Sequence, residues 1–434
     1  MEAKKIKEYK ERFMPDPDNC ILYGEANGEL IGAALDPSAP CNQFIIGGTG
    51  TGKTQGYVMC NLKNGKTSAV ITGGTAYNFK INSEYFKSKG IKLHTIDYVE
   101  DSVEESGRYN PFLHLDKHKS LEENAAQLST DMKRVFVDTE KDLDADKDVK
   151  SSAEFIIMNI IVLHMLANDM PDEKKSFKTI FELLDTVKDY AVIDASHEKA
   201  LSEQLKAKSK EDIELAVTNW KNAFKTANFT LGYADSRAFD IFEERPETNN
   251  IKVEDFRNEL HYLFVVAPEN RNQTVGLAAS FLLLCLMREM TSVDFIDKNH
   301  VQFYLDDFRG LRLPGLNKVM EDCSSSNAGI SLVLMSITNL KDKYSKTWDL
   351  FPSHDIIFLG NQGDDDADWL SGIYPDCVIC PRDIKEELKN RGLKEKDLTH
   401  IIPSFISERR GGIAFIRNAS PIIINDLDRS RWSA

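Results

Sequence analysis

The densest chemistry in this chain lies at Gly47-Gly-Thr-Gly-Thr-Gly52-Lys53-Thr54, which satisfies the spacing GxxxxGK[ST]. Glycines let the backbone curl so that successive N–H groups converge on an anion, at the positive end of the helix that follows. Gly47, Gly48, Thr49, Gly50, Thr51 and Gly52 are therefore expected to cradle nucleotide phosphates. Lys53 would bridge the β- and γ-phosphates, and Thr54 would hold Mg²⁺ through its hydroxyl. The apolar run Phe44-Ile45-Ile46 precedes this loop and a helix-compatible stretch follows it, the context a phosphate-binding loop requires.

Such a loop needs an acid at the end of a neighbouring strand to complete the metal site. Val301-Gln-Phe-Tyr-Leu305 is an apolar run that ends in Asp306 and Asp307. Asp306 is expected to hold Mg²⁺ together with Thr54, and Asp307 to orient the attacking water, with one methylene less reach than a glutamate. Lys53, Asp306 and Asp307 form the expected catalytic set, with ATP and Mg²⁺ as the cofactors.

Three other groupings read as structural. Cys377 and Cys380 form a lone CxxC with no second ligand pair at a zinc-like spacing. His114, Asp116 and His118 lack a partner cluster and read as a solvated helix start. The acids Asp138, Glu140, Asp142, Asp144, Asp146 and Asp148 resemble a calcium loop, but Lys147 stands where that loop turns on glycine, so a solvated loop is expected.

The elements that must position the loop and the acids are short apolar runs without polar alternation: 43–46, 68–72, 92–97, 262–267, 301–305, 331–335 and 355–359. Strands of that kind are buried on both faces, as in a parallel sheet covered by helices. Helical stretches such as 274–290 and 367–373 lie between them, the texture of an α/β fold. Residues 115–230 differ, with few β-branched runs and much Lys, Glu, Asp, Ala and Leu. We read them as an all-helical domain inserted into an α/β domain formed by 1–114 and 231–434. Ala153–Ala167 and Glu211–Thr226 are expected to be amphipathic helices, and Glu122, Glu123, Asp131 and Lys133 to line a solvated face.

Composition bounds the partners. With 54 Lys and Arg against 69 Asp and Glu in 434 residues, the net charge is −15, which argues against a basic monomer that coats duplex DNA, though basic loops lining a pore remain compatible. The longest apolar run, Val275 to Met287, is about 13 residues against the ~20 needed to span a bilayer. No transmembrane helix and no secretory signal are expected. Seven scattered cysteines suit a reducing cytoplasm.

The order of these motifs resembles the TraG-like coupling proteins of conjugation and type IV secretion. The resemblance rests on the phosphate loop, Tyr109-Asn110-Pro111-Phe112, Leu263-Phe-Val-Val-Ala-Pro268, and Leu305-Asp-Asp-Phe308 followed by Leu313 and Pro314. Ile330-Ser-Leu-Val-Leu-Met-Ser336 and Ile357-Phe-Leu-Gly360 complete it. It implies a RecA-like P-loop NTPase with a mostly parallel sheet and an inserted all-helical domain that recognises substrate. It further implies homo-hexamers that couple a relaxase–DNA complex or a secreted protein substrate to type IV secretion channel components, with single-stranded DNA in a central pore. The location implied is cytoplasmic, peripheral at the inner face of the cell membrane through partners.

Departures from the family pattern are specific. Its membrane-spanning N-terminus is missing, as in a trimmed form or a natural soluble variant. The strand after the loop ends Thr72-Gly73-Gly74 rather than in an Asp-Pro-Lys-like sequence. Met335 takes the place of a γ-phosphate-sensing glutamine, and Cys323-Ser-Ser-Ser-Asn-Ala328 replaces a turn that carries arginines, leaving Arg309 and Arg312 as the nearest inter-subunit fingers. Three functions fit: an ATPase that moves DNA or protein, a nucleotide-binding receptor or adaptor with weak or no turnover, or another RecA-like DNA pump.

Overall fold

The computed structural model describes residues 2–14, 16, 19–35, 41–73, 75–98, 106–138, 143, 149–167, 170–186, 199–229, 237–244, 250–266, 275–306, 308–323, 325–344, 354–360, 366, 369, 412–416, 422–425 and 427. Helix α1 (Glu2–Phe13) leads into a hairpin of β1 (Cys20–Ala26) and β2 (Glu29–Ala34). Its turn, Asn27-Gly28, has both residues at positive φ, 52° and 80°, the geometry that matches the twist of paired strands. Then come β3 (Gln43–Ile46), a π-helical turn (Lys53–Val58) continuing into α2 (Met59–Asn64), β4 (Ser68–Thr72), α3 (Thr75–Ser88) and β5 (Lys92–Asp97).

Between β5 and the next strand the longer described elements are helices: α4 (Leu121–Met132), α5 (Ala153–Ala167), α6 (Phe177–Thr186), α7 (Lys199–Lys206), α8 (Lys210–Phe229), α9 (Arg237–Asp240) and α10 (Val253–Asn258). The α/β pattern resumes with β6 (His261–Val266), α11 (Val275–Met290), β7 (Val301–Leu305), α12 (Leu316–Cys323), β8 (Ala328–Leu334), α13 (Thr338–Lys341) and β9 (Asp355–Leu359). Strands β10 (Gly412–Phe415) and β11 (Ile422–Ile424) follow.

Among the described residues, nine strands form the main sheet in the order β11-β10-β9-β3-β8-β7-β4-β6-β5. From β9 to β5 every neighbouring pair is parallel, while β10 and β11 add an antiparallel edge. Side chains alternate between two cores, as strands covered on both faces require. Phe44, Ile46, Val70, Leu305 and Ile330 face one core with Phe281, Leu283 and Leu286 of α11. Ile45, Ile71, Tyr304, Val333 and Ile357 face the other, with Tyr57, Val58 and Leu62 of the loop helix and Tyr9 of α1. A buried polar cluster knits β3, β7 and β8: the Ser331 hydroxyl donates to Gln43 Oε1 at 2.7 Å, and Gln302 Nε2 donates to Ser331 Oγ at 2.9 Å.

The seven strands read from sequence are all present, five of them (β3, β4, β7, β8 and β9) buried along their whole length. The structure adds the two hairpin strands and the antiparallel edge; Asn27-Gly28 is the local signal that marks the hairpin. Helix α5 differs from its expected amphipathic character, since nearly all of its residues, from Phe155 to Leu166, are buried. It is the central helix of its layer, packed between neighbours on several sides. Asp131 and Lys133 also depart from expectation. Glu122 and Glu123 are exposed, but Asp131 is buried against Arg288 and Lys133 is paired with Asp138 at 2.6 Å. The partner base lies on α11, which the local pattern of α4 does not reveal.

One continuous core runs from the helical segment into the α/β part. Phe136, Phe177 and Phe242 surround Phe281 of α11, with ring centroids 5.6, 5.8 and 5.7 Å away. The two chain crossings are stapled together as well. The buried Arg108 donates through Nη1 to the carbonyls of Asp240 (2.5 Å) and Glu243 (3.2 Å), and Tyr109 N donates to Ile241 O at 2.9 Å.

Candidate functional site

Strand β3 runs into the glycine loop, and its last hydrogen bond, Gly47 N to Leu334 O at 3.1 Å, ties the start of the loop to the end of β8. Gly50 and Gly52 take φ of 80° and 90°, values that L side chains rarely adopt, so the motif's glycines meet a backbone need. Gly52 caps the π-helical turn, and its carbonyl accepts from both Gly56 N (2.5 Å) and Tyr57 N (3.2 Å). The Thr51 hydroxyl closes the loop on Gly48 O at 2.9 Å, and Lys53 Nζ lies across its mouth, donating to Gly47 O (2.5 Å) and Gly48 O (2.7 Å). Thr49 and Gly50 are exposed at the tip.

The end of β9 forms the loop's other wall. A Cβ on Gly47 would come within 2.5 Å of Leu359 O, and one on Gly360 within 2.7 Å of Thr51 Cγ2. Gly360 also has a φ of 61°. This close approach of two backbone segments is a further reason for glycine at both positions.

Strand β8 separates β3 from β7, yet the loop reaches over it. Thr54 Oγ1 donates to Asp306 Oδ2 at 2.5 Å, and Asp306 is 7% exposed. The Thr72 hydroxyl donates to the backbone carbonyl of Asp306 at 2.8 Å. Hydroxyl and carboxylate are hard oxygen donors, the set that Mg²⁺ takes, and they meet beside a loop built for phosphates. The structure therefore brings together Gly47–Gly52, Lys53, Thr54 and Asp306; Asp307 lies outside the described residues.

Beyond β8 the chain carries no side-chain donor at the first exposed position. Met335 is 47% exposed, and a thioether cannot donate a hydrogen bond. The turn that follows is pinned from two sides. Asn339 Oδ1 accepts from Met335 N (3.2 Å) and Ser336 N (3.3 Å), while Asp366 Oδ1 accepts from Ile337 N (2.6 Å) and Ser336 Oγ (3.0 Å). Arg312 donates through Nε to Arg134 O at 2.8 Å on the helical segment. The side chain of Arg309 lies outside the described residues.

His114 is not a solvated helix start. Helix α4 begins later, at Leu121, capped by Ser120, whose hydroxyl accepts from Glu123 N at 3.2 Å while Glu123 caps Ser120 N in return. His114 is mostly buried between two acids, Nε2 at 2.7 Å from Glu244 and Nδ1 at 3.2 Å from Glu289, with its ring stacked on Tyr109. The Tyr109 hydroxyl donates to the other oxygen of Glu289 at 2.7 Å. Burial pulls the His114 pKa down, but the hydrogen bonds and charges of Glu244 and Glu289 outweigh it and lift it from 6.5 to about 10. The partners come from far along the chain, so the spacing of His114, Asp116 and His118 held no signal of them. Among the described residues no group of three or more His, Cys, Asp and Glu is arranged to hold a metal ion; Cys377 and Cys380 lie outside them.

A glycine loop on one strand and a buried acid two strands away, on a mostly parallel sheet, define a RecA-like P-loop fold. The chain belongs to the type IV secretory system conjugative DNA transfer family, whose model matches residues 9–373. Among curated proteins none matches by sequence. Solved structures share the fold. The plasmid coupling protein TrwB in complex with GDPNP is 13% identical over 97% of this chain and 92% of its own, with a TM-score of 0.65. TrwB in complex with ADPNP is 13% identical over the same shares, with a TM-score of 0.61. VirB4 of Thermoanaerobacter pseudethanolicus is 14% identical over 95% of this chain and 98% of its own, with a TM-score of 0.55. Among the described residues no helix is long and apolar enough to cross a membrane.

Proposed function

We propose that this coupling protein binds Mg-ATP at Gly47–Thr54 and hydrolyses it, slowly as an isolated chain, to drive transfer of a relaxase–DNA complex or protein substrate into a type IV secretion channel. The observation that carries the reading is the Thr54–Asp306 contact, which joins the phosphate loop to a strand-borne acid. The TrwB structures with GDPNP and ADPNP support nucleotide binding on this fold.

The residues take these roles. Backbone N–H groups of the loop and the Lys53 ammonium bind the phosphates and orient the γ-phosphoryl group. Thr54 and Asp306 hold Mg²⁺, which when bound offsets phosphate charge. Asp307 accepts the proton of the attacking water. Helical residues 115–230 choose the cargo, and assembly into a hexamer brings a neighbour's charge to the site. The protein works at the cytoplasmic face of the membrane, held there by channel components.

Met335 favours weak turnover by the single chain, because its position offers no donor to the transferring phosphoryl group. The second reading, a nucleotide-binding receptor with negligible hydrolysis, rests on the same residue. ATPase measurements across protein concentration, with and without single-stranded DNA, separate the two. A motor gains specific activity on assembly and loses it in Asp307→Asn with ATP binding intact. A receptor binds ATP and stays silent at every concentration.

A further inference from the structure

Asp306 is gripped at two points. Its carboxylate accepts from Thr54 at 2.5 Å and its backbone carbonyl accepts from the Thr72 hydroxyl at 2.8 Å. Thr72 is the last residue of β4 and is 4% exposed. The parallel ladder between β4 and β7 runs from Ser68 opposite Val301 to Ile71 opposite Tyr304. Just beyond its end the side chain of Thr72 makes the link, reaching the carbonyl that follows β7. On its other side Thr72 stands in register with Val265 of β6, so the strand end carrying the hydroxyl is held. Gly73, at φ 87°, then turns the chain away.

We infer that Thr72 is a positioning residue for the metal acid: by holding the Asp306 peptide, it aims the Asp306 carboxylate at Thr54 and the cation site they share. The inference rests on the reading of Thr54 and Asp306 as the Mg²⁺ ligands. A β-branched hydroxyl suits the task, since restricted χ1 keeps the donor in a narrow range of directions. It is also neutral, so it holds Asp306 without competing for the cation. A carbonyl fixed at the strand end fixes the direction in which the Asp306 side chain leaves the backbone.

The test separates aim from mere stability by titrating Mg²⁺. Binding of a fluorescent, non-hydrolysable ATP analogue is measured in EDTA and across Mg²⁺ concentrations for wild type, Thr72→Val and Thr72→Ser. Thr72→Val is expected to raise the half-saturating Mg²⁺ concentration by about two- to tenfold, the effect of one ordinary hydrogen bond, while affinity in EDTA stays within twofold. Thr72→Ser restores the wild-type curve. A Mg²⁺ curve for Thr72→Val that superimposes on wild type overturns the inference, as does a shift that serine fails to rescue. If Thr72→Val does not fold, Thr72→Ala carries the same comparison. Wild-type binding that ignores Mg²⁺ would instead remove the metal-site reading and this inference with it, whereas a failure confined to the Thr72 variants leaves that reading standing.

Discussion

The Thr54 hydroxyl donates to the Asp306 carboxylate at 2.5 Å across 252 positions of sequence. That contact makes a single site of two motifs on strands that are not neighbours. It also separates two contributions to nucleotide affinity. Lys53→Ala removes a charge-assisted contact of ~1.5–3 kcal/mol, and is expected to weaken ATP binding about tenfold to 150-fold with or without Mg²⁺. Asp306→Asn is expected to leave binding in EDTA unchanged and abolish its enhancement by Mg²⁺. Calorimetry under both conditions distinguishes them, and unchanged affinity in Lys53→Ala would show that the loop is not the site.

Gly360 allows β9 to close against the loop. Its φ of 61° and the 2.7 Å approach to Thr51 Cγ2 penalise any side chain there. Gly360→Ala is expected to cost about 1–2 kcal/mol from the backbone conformation alone, and to displace the loop as well. Urea unfolding reads the first effect and ATP affinity the second. Thr51→Ser, which removes the clashing methyl, recovers part of the affinity in the double variant.

The clamp around His114 sets a pH dependence of known sign. Its folded-state pKa, about 10, lies above the unfolded value of 6.5. A raised folded pKa means that the charged ring stabilises the fold fully below pH 6.5, and that this contribution is lost as pH rises from there through 10. Stability of the wild type is therefore expected to fall across that window, while His114→Gln shows a flatter profile. The variant leaves Glu244 and Glu289 without their shared cation, at a cost of about 3–5 kcal/mol near neutral pH. Thermal unfolding at a series of pH values tests both statements, and equal pH slopes for the two proteins would refute the clamp.

Met335 predicts slow hydrolysis that a donor can raise. Met335→Gln is close in volume and offers an amide N–H to the phosphoryl group, so turnover per site is expected to increase several-fold with ATP affinity little changed. Arg312→Ala tests the alternative source of charge. Because Arg312 Nε is committed to Arg134 O, the substitution is expected to lower stability by about 1 kcal/mol rather than to reduce turnover. A steady-state ATPase assay at matched protein concentration decides, and a large loss of rate in Arg312→Ala would restore it as a finger.

The seven parallel strands and the phosphate loop were legible because each depends on its own residues. An unalternated run such as Val301–Leu305 can be buried only on both faces, and the loop glycines are needed wherever that loop forms. Helix α5 was visible as a helix but not as a fully buried one, since its surroundings are supplied by other segments. The Asn27-Gly28 hairpin is written locally, in two residues that accept positive φ.

What the sequence could not decide was adjacency. Placing β8 between β3 and β7, and β4 beyond β7, is what carries Thr54 to the Asp306 carboxylate and Thr72 to its carbonyl. Asp131 and His114 look like surface residues in their own segments, and only the docking of α11 and the 239–244 crossing supplies the opposite charges that let them be buried. Local pattern reports what a residue prefers next to its sequence neighbours. Its charge partner and its burial are set by segments that folding brings from far along the chain, and those decided the second anchor of Asp306 and the buried histidine clamp.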